Sequence, residues 1–313
     1  MNMPGRKLIA VVGATASGKT AMAIEIARAL GGGFEAVNAD SRQVYRFMDI
    51  GTAKATAAER ESLPHHLLDV VYPDESFGLA TWLAMANEAL TSIWGAGHVP
   101  IVVGGTGQYV WALLEGWRVP EVPPQEDFRR EMEGRPAEDL VRDLQAIDPE
   151  SQEYVQPQNV RRVIRALEVH RMTGKPLSYW RTKEPPSFDW LAIGRRFERR
   201  ELYRRIDARV DAMIGAGLAV EVRGLLDMGY GPEFPSMSGI GYGEMCAYFS
   251  GEFSLAEATA RTKTHTHRFV RHQNAWFKAG DSRIRWIEGD AEAVEAVRGF
   301  LSSTEQGASS ESE

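Results

Sequence analysis

One short stretch of the chain carries residue types suited to binding phosphate. Residues 13–20 read GATASGKT, which fits the pattern G-x-x-x-x-G-K-[S/T] between an apolar run and a helical run. In such a loop glycines let backbone N–H groups approach phosphate oxygens, Lys19 adds a positive charge, and the Thr20 hydroxyl can bind Mg²⁺. The alternative is a chance Gly-Lys-Thr turn. We predict that a di- or triphosphate binds the loop formed by Gly13, Ala14, Thr15, Ala16, Ser17, Gly18, Lys19 and Thr20.

Polar residues also follow two other predicted strands. Residues 40–43 (Asp-Ser-Arg-Gln) come after the apolar run 34–38, and a glycine-rich turn containing Thr106 follows the run 100–103. The carboxyl ends of parallel strands meet at one edge of a sheet, where ligands bind in this class of fold. We therefore expect a carboxylate and a hydroxyl near the phosphate loop. The simpler interpretations are that Asp40 caps a helix or accepts loop hydrogen bonds, and that Thr106 is a turn residue.

Strands and helices alternate in the first part of the sequence. Three apolar runs, at 7–12, 34–38 and 100–103, are separated by stretches with a helical pattern at 21–30 and 80–94. This alternation is typical of a parallel sheet covered by helices. We therefore predict an α/β fold of the P-loop NTPase-like kind, with a mostly helical insertion domain.

The character of the sequence changes after Trp117. Several prolines interrupt the pattern there, and helical, charge-rich sequence continues as far as Pro185 and Pro186. We predict a helical insertion domain over 118–190. It would interrupt a discontinuous P-loop α/β core made of 1–117 and 191–301.

The last third of the chain is predicted to be helical. Ser254 and Glu257 have the spacing of a capping box, so we predict a helix that begins at Ser254 and runs to about Lys278. Residues 238–243 (Ser-Gly-Ile-Gly-Tyr-Gly) are predicted to form a flexible loop. The Ser- and Glu-rich tail 302–313 is predicted to be disordered.

Composition limits the class of protein. The chain has 313 residues, of which 43% are apolar and 25% charged, as in ordinary globular proteins. Its only cysteine is Cys246, which excludes an intrachain disulfide. The first apolar run is too short to span a membrane and leads directly into the glycine-rich loop. We expect a cytoplasmic protein without membrane partners, and a monomer.

Positive charge is concentrated in two segments, although the formal net charge is −7. Residues 155–209 contain 14 Lys and Arg against 6 Asp and Glu, and residues 261–285 contain 7 against 1. One interpretation is a solvated helix face with scattered acids. The other is a surface that binds the phosphate backbone of a nucleic acid.

The order of several motifs resembles the tRNA dimethylallyltransferase (tRNA isopentenyltransferase) family. The resemblance extends from residue 8 to about 278, and as a set the motifs are highly specific. They are GATASGKT at 13–20, DSRQVY at 40–45, DIGTAK at 49–54, HHLLD at 65–69, GGTGQY at 104–109, RALEV at 165–169 and GIGY at 239–242.

The resemblance implies transfer of a dimethylallyl group from dimethylallyl diphosphate to tRNA, with Mg²⁺ present. The acceptor would be the exocyclic amine of the adenosine just 3′ of the anticodon. This amine is a poor nucleophile, so a carboxylate that removes its proton would help, and Asp40 is the candidate general base. By resemblance Thr106 contacts the reacting region. The phosphate loop would then hold the departing diphosphate.

The same resemblance implies a path for tRNA across the protein, with the insertion domain closing on the anticodon stem-loop. In the C-terminal basic helix two positions that are commonly Arg are His267 and His272 here, so Arg268 and Arg271 are the cations expected to contact tRNA. A third departure is Ala14, where the family usually has Pro. The implied tRNA-binding residues are Asp40, Ser41, Arg42, Gln43, Thr106, Arg161, Arg162, Val163, Ile164, Arg165, Ser238, Gly239, Ile240, Gly241, Tyr242, Gly243, Arg268 and Arg271.

Three other functions are compatible with a phosphate loop. A small-molecule kinase would turn over ATP without RNA, but it explains neither basic segment. An enzyme that prenylates a free adenine nucleotide would need no insertion that binds an anticodon. The third is an ATP-switched RNA-binding protein without chemistry.

Overall fold

The core of the fold is a six-stranded parallel sheet. A computed structural model describes residues 5–303. The strand order is β3-β2-β4-β1-β5-β6, so the strand before the phosphate loop is central. The strands are β1 Lys7–Val12, β2 Phe34–Asn38, β3 His65–His66, β4 Val99–Gly104, β5 Asp189–Arg195 and β6 Ile284–Ile287.

Helices account for most of the remaining chain. Of the helices in residues 5–303, none is long and apolar enough to cross a membrane. The helices are α1 Lys19–Ala29, α2 Ala57–Ser62, α3 Leu79–Gly95, α4 Gly107–Leu114, α5 Glu126–Glu133, α6 Ala137–Ile147, α7 Val160–Thr173, α8 Arg199–Gly215, α9 Leu218–Asp227, α10 Tyr242–Phe249, α11 Leu255–Trp276 and α12 Asp290–Ser302, with short 3₁₀ helices at Pro149–Glu153, Leu177–Trp180 and Pro235–Ser238.

The central strands are buried because helices cover both faces of the sheet. Ile9 of β1 pairs with Ile101 of β4 on one side and with Leu191 of β5 on the other. Leu8 through Val12 have no exposed surface, which is why this strand is continuously apolar rather than alternating. The register brings the carboxyl ends of β1, β2 and β4 to one edge, and the loops that follow them carry the predicted site residues.

The described chain divides into two compact units. The first consists of residues 5–78, 82–111 and 187–303 and contains the sheet, and the second consists of 79–81 and 112–186. The second unit has its own apolar core, and it shares residues 118–186 with the predicted insertion. That core is formed by Met132, Leu140, Leu144, Val155, Val163, Ile164, Ala166 and Leu167.

Three strands are not predicted from the sequence. Strand β3 is only two residues long and has no apolar run to indicate it. Strand β5 lies partly in the predicted insertion and partly in a basic run, and β6 lies in a region predicted to be helical. In β6 only Ile284 and Ile287 are buried, because it is an edge strand of four residues. Its pattern is too short to distinguish a strand from a helix.

Smaller boundaries also differ from prediction. The loop predicted at 238–243 is shorter, because α10 already begins at Tyr242. The capping box at Ser254 and Glu257 is present, and the helix it begins ends at Trp276. Helix α12 includes Ser302, the first residue of the predicted tail, and residues 304–313 of that predicted disordered tail lie outside the described residues.

Candidate functional site

The phosphate loop joins β1 to α1 with the backbone geometry that its glycines predict. Gly13 and Gly18 have φ angles of +137° and +80°, a region that favours glycine. Helix α1 begins at Lys19, so its first N–H groups belong to the loop and are available to an anion. The loop therefore has the local structure required to bind phosphate.

Lys19 lies against this loop, where its surroundings favour the neutral form of the amine. Its Nζ donates a hydrogen bond of 2.8 Å to the carbonyl of Ala14. Burial lowers its pKa to about 8; the negative charge of Asp40 opposes this shift and the positive charge of Arg209 adds to it. A bound anion would restore the ammonium form, because an opposite charge favours the charged state of the amine.

Asp40 is fixed in a tight turn at the end of β2. Its Oδ1 accepts a 2.9 Å hydrogen bond from the backbone N–H of Arg42, and its own N–H donates to Oδ1 of Asn38 at 3.1 Å. Asn38 is buried and donates in return to the carbonyls of Asp40 and Leu67, each at 3.1 Å. The carboxylate thus does accept a loop hydrogen bond, as the simpler interpretation expected, and this bond also orients it.

Thr106 connects the turn after β4 to the turn that carries Asp40. Its Oγ1 accepts from the backbone N–H of Ser41 at 3.0 Å, and its backbone N–H donates to the carbonyl of Ala39 at 3.1 Å. Gly104 permits this approach, since a Cβ there would lie 2.1 Å from the Ala39 carbonyl oxygen. The hydroxyl of Thr106 is therefore hydrogen-bonded to Ser41, the residue that directly follows Asp40.

A cavity of about 820 Å³ in the first unit brings the phosphate loop and Asp40 together. Lys19 and Thr20 line it from the loop, Asp40 and Gln43 line it from the turn after β2, and Arg209 lines it from α8. An anion bound by the loop and a group beside the Asp40 carboxylate could therefore occupy one connected space.

Arg209 is a site residue that local sequence signals do not identify. Burial lowers the pKa of its guanidinium, and the charge of Asp40 opposes that shift, so the two groups are electrostatically coupled. The available signal was weak: Arg209 directly precedes Val210 and stands three residues after Ile206, at the border of the apolar stripe of α8. Only the fold shows that this border faces the cavity.

The wall of the cavity formed by residues 49–60 carries charges that are already paired. Nζ of Lys54 is 2.6 Å from Asp49 Oδ1 and 2.6 Å from Asp69 Oδ1, and Arg60 lies 3.0 Å from the other Asp69 oxygen. Burial alone would raise the pKa of Asp69, but the hydrogen bond from Lys54 and the two positive charges lower it. Lys54 is thus a structural cation and not a free ligand for phosphate.

The GIGY motif at 239–242 is placed differently from its predicted role. The Tyr242 ring is buried, and its hydroxyl donates to Glu221 Oε1 at 2.7 Å. Glu221 also accepts from the N–H groups of Asp49, Ile50 and Gly51, so this motif supports the loop at 49–51. The Tyr242 side chain is therefore removed from the predicted tRNA-binding set. Ser238 is exposed, as that prediction requires, and the other members of the predicted loop are Gly239, Ile240, Gly241 and Gly243.

Helix α7 of the second unit contains five predicted tRNA-binding residues, and the structure separates them. Arg161 and Arg162 are exposed. Val163 and Ile164 are 1% and 3% exposed and pack in the core of this unit, so their assignment as tRNA contacts is corrected. Arg165 forms an ion pair with Glu168, which is fully buried.

The predicted cations of α11 are on the surface. Arg268, Arg271 and His272 are exposed. His267 instead stacks on Tyr203 with ring centroids 4.0 Å apart, and its Nε2 lies 2.9 Å from Asp207 Oδ1. It therefore interacts within the protein and does not take the place of a surface cation.

The site offers oxygen ligands of the kind that Mg²⁺ prefers, but too few to hold a metal ion with protein ligands alone. Thr20 and Asp40 line the same cavity, and the hydroxyl of Ser17 is buried with no hydrogen-bond partner among the described residues. Within residues 5–303 no group of three or more His, Cys, Asp and Glu side chains could hold a metal ion. A Mg²⁺ ion here would need phosphate oxygens among its ligands, as is usual for this metal.

Sequence comparisons identify a protein family. The model of a family described as IPP transferase matches residues 43–280, and a model described as isopentenyl transferase matches residues 6–70. The chain is 50% identical over 275 residues to the tRNA dimethylallyltransferase of Roseiflexus sp. (strain RS-1), covering 87% of this chain and 90% of that protein. It is 43% identical over 308 residues to that of Dehalococcoides mccartyi, covering 96% and 94%.

Solved structures give the same result. The full-length tRNA isopentenylpyrophosphate transferase from Bacillus halodurans is 37% identical and matches with a TM-score of 0.68, covering 95% of both chains. A eukaryotic dimethylallyltransferase described as acting on tRNA is 26% identical and matches with a TM-score of 0.82, covering 95% of this chain and 80% of that one.

Proposed function

The chain belongs to the IPP transferase family, and from this membership we propose that a dimethylallyl group is transferred from dimethylallyl diphosphate to tRNA in the cavity beside Asp40. The protein is a transferase that modifies the exocyclic amine of the adenosine 3′-adjacent to the anticodon, giving isopentenyladenosine and diphosphate. Membership in this family argues against the two alternatives of a small-molecule kinase and an ATP-switched RNA-binding protein without chemistry. The observation that carries the assignment of the site is the cavity that Lys19, Thr20 and Asp40 line together.

The phosphate loop holds the diphosphate of the substrate and later the leaving group. As the nitrogen–carbon bond forms, the bond between the allylic carbon and the diphosphate oxygen breaks, and negative charge accumulates on the diphosphate. Lys19, Arg209 and the N–H groups at the start of α1 stabilise this charge. Their effect is greatest in the transition state, because the charge is transferred to the diphosphate only as the bond breaks.

Asp40 acts as general base for the amine. It takes the proton that the exocyclic nitrogen loses on alkylation, and the hydrogen bond from the Arg42 N–H keeps its carboxylate oriented. Thr106 acts beside it, since its hydroxyl holds the Ser41 N–H and thereby the turn that carries the base. Before transfer the target base must leave the stack of the anticodon loop, which costs a few kcal/mol of unstacking.

A Mg²⁺ ion would be held by the Thr20 hydroxyl together with oxygens of the diphosphate. When bound it would neutralise charge on the leaving group.

The tRNA partner would contact exposed and half-buried residues of both units. The supported candidates are Ser41, Arg42 and Gln43 in the turn after β2, Arg161 and Arg162 in the second unit, Ser238 in the short loop, and Arg268 and Arg271 on α11. One N–H group of the Arg42 guanidinium already donates a hydrogen bond of 2.9 Å to the carbonyl of Pro235. We further propose that the second unit binds the anticodon stem-loop and that the protein acts as a monomer in the cytoplasm.

The experiment that tests this function follows a label into RNA. The protein is incubated with isotopically labelled dimethylallyl diphosphate, Mg²⁺, unmodified tRNA and free AMP. The free nucleotides are then separated, and the RNA is digested to nucleosides for analysis. We expect label in the adenosine adjacent to the anticodon and none in a tRNA with guanosine at that position. Label in free adenine nucleotides, or no transfer to RNA, would contradict the proposal.

A further inference from the structure

A buried glutamine on α11 joins two loops of the candidate site. Gln273 is 3% exposed. Its Oε1 accepts a 2.8 Å hydrogen bond from the backbone N–H of Thr15, in the phosphate loop, and its Nε2 donates a 3.0 Å hydrogen bond to the carbonyl of Gly105, in the turn after β4. Both ends of one rigid amide are thus used.

The amide of Gln273 leaves no room for a side chain at residue 105. A Cβ built on Gly105 would lie 2.3 Å from Nε2 of Gln273. Residue 105 must therefore be glycine for the amide to reach the carbonyl. The glycine-rich turn after β4 is accordingly shaped to receive the side chain of α11.

The connection extends from Gly105 to the general base. Thr106 follows Gly105, its Oγ1 holds the N–H of Ser41 at 3.0 Å, and Ser41 follows Asp40. A continuous path of three side-chain to backbone hydrogen bonds therefore leads from the phosphate loop through Gln273 and Thr106 to the turn that carries Asp40.

We propose that Gln273 is a positioning residue that sets the separation between the diphosphate cradle and the Asp40 carboxylate. This inference rests on the proposed function, because the separation matters only if both groups act on one reaction. Gln273 also occupies the N–H of Thr15, so that donor is not available to phosphate. The phosphate-binding N–H groups are then those nearer the start of α1.

Small errors in this separation reduce turnover more than they reduce binding. A misplacement of about 1 Å between reacting groups can cost about a hundredfold in rate. Such a misplacement changes the distance between the two loops but removes none of the groups that bind tRNA or the diphosphate. A change at Gln273 is therefore expected to lower kcat while the KM for tRNA stays constant.

Two variants of Gln273 test the proposal. Gln273→Met keeps the approximate shape and removes both hydrogen bonds, so kcat should fall at least tenfold at every pH. In Gln273→Glu the carboxylate still accepts from Thr15 but repels the Gly105 carbonyl. A buried carboxyl is protonated more readily than an exposed one, and its protonated form can donate to that carbonyl. The kcat of Gln273→Glu relative to wild type should therefore rise severalfold from pH 8 to pH 5.5.

The matched control is Asn274→Met, since Asn274 is the exposed neighbour on the same helix and this variant should keep wild-type kcat. A kcat for Gln273→Met within twofold of wild type would overturn the proposal. So would a Gln273→Glu variant whose relative kcat is the same at both pH values, or a loss of Gln273→Met activity matched by weaker tRNA binding.

Hydrogen–deuterium exchange separates this inference from the proposed function. In Gln273→Met, peptides covering the phosphate loop and the turn after β4 should exchange at least fivefold faster than in wild type, while α9 is unchanged. This result does not depend on any activity. Unchanged exchange in both loops would refute the positioning role, whereas faster exchange with a wild type that modifies no tRNA would refute the proposed function alone.

Discussion

Lys19 shows how a single residue can respond to the ligand it binds. In the free protein its amine is desolvated, with a pKa of about 8, and it donates to the carbonyl of Ala14. A diphosphate would replace the missing solvation with negative charge and favour the ammonium form. Binding of the diphosphate and protonation of Lys19 are therefore linked.

This linkage predicts a pH dependence for diphosphate binding. The folded pKa of Lys19 is depressed, so the amine loses its proton as pH rises through about 8, and a diphosphate must then bind a neutral amine or recover the proton. The affinity of wild type for inorganic diphosphate, divided by that of Lys19→Met, should fall about tenfold between pH 7 and pH 9. Isothermal titration calorimetry measures both, and the ratio cancels the titration of the ligand. A ratio that is constant over this range would contradict the account.

The residues that could not be identified from sequence share one property. Asp40, Thr106 and the phosphate loop follow predicted strands, so local signals locate them. Arg209 and Gln273 stand on helices far along the chain, and only the packing of α8 and α11 against the site brings them there. Conversely, Val163 and Ile164 belong to a motif with surface arginines, yet the helical period directs them into the core.

At the scale of elements, α7 depends on one buried carboxylate. Glu168 has no exposed surface and accepts from the Arg129 guanidinium at 2.8 and 2.9 Å, from the Gln125 N–H at 2.7 Å, and from Arg165. These interactions tie α7 to the start of α5. Removing the carboxylate leaves two arginines without their shared partner, so the second unit should be strongly destabilised.

We predict that Glu168→Ala lowers the free energy of unfolding by about 3–5 kcal/mol, the usual effect of breaking a buried ion pair. Urea unfolding at pH 7 measures it, with the exposed Glu138→Ala as the control that should change little. An effect no greater than that of the control would show that Glu168 does not hold the unit together.

The same group gives stability a defined pH dependence. Burial would raise the pKa of Glu168, but the hydrogen bonds from Arg129, the Gln125 N–H and Arg165 outweigh it, so the folded pKa is below the ordinary value of 4.5. Its contribution is present above pH 4.5 and is lost as pH falls through the lower folded value. The advantage of wild type over Glu168→Gln in urea unfolding should therefore be constant above about pH 5.5 and decrease steadily as the pH falls below 4.5. An advantage as large at pH 3 as at pH 6 would contradict this.

Elements with strong local signals were predicted well. The bounds of β1 and β2 agree with their apolar runs, and the capping box of α11 is present. Strands β3, β5 and β6 are not predicted because their identity comes from pairing partners distant in sequence: β3 pairs with β2, β5 with β1, and β6 with β5. Such pairing leaves little trace in a short segment.

At the scale of the whole molecule, an acidic protein must bind an acidic polymer. The net charge is −7, so the attraction to tRNA has to come from local positive surface. Many arginines of the basic segments are paired within the protein, for example Arg204 and Arg205 with Glu201. Arg161 and Arg162 are exposed, which makes them better candidates for binding phosphate than the charge count alone suggests.

We predict that the double variant Arg161→Glu, Arg162→Glu weakens tRNA binding and makes it less dependent on salt. The slope of log K against log salt should decrease in magnitude by about one unit for each phosphate that the variant no longer binds. Fluorescence anisotropy at several salt concentrations measures this slope. Arg142→Glu is the control, because Arg142 is exposed on α6 in the same unit and should alter the slope little. If the control and the double variant changed the slope equally, tRNA binding would depend only on net charge, and the prediction for Arg161 and Arg162 would be wrong.

The account depends most on a general base that shares a cavity with the diphosphate cradle, and single-turnover transfer by Asp40→Asn tests this directly. Preformed complexes of the variant and of wild type with tRNA are mixed with labelled dimethylallyl diphosphate, and the rate of label entry into RNA is measured. We predict a rate about 10²–10⁴-fold lower than wild type, with the affinity for tRNA largely unchanged. A variant that transfers the label at the wild-type rate would contradict the account.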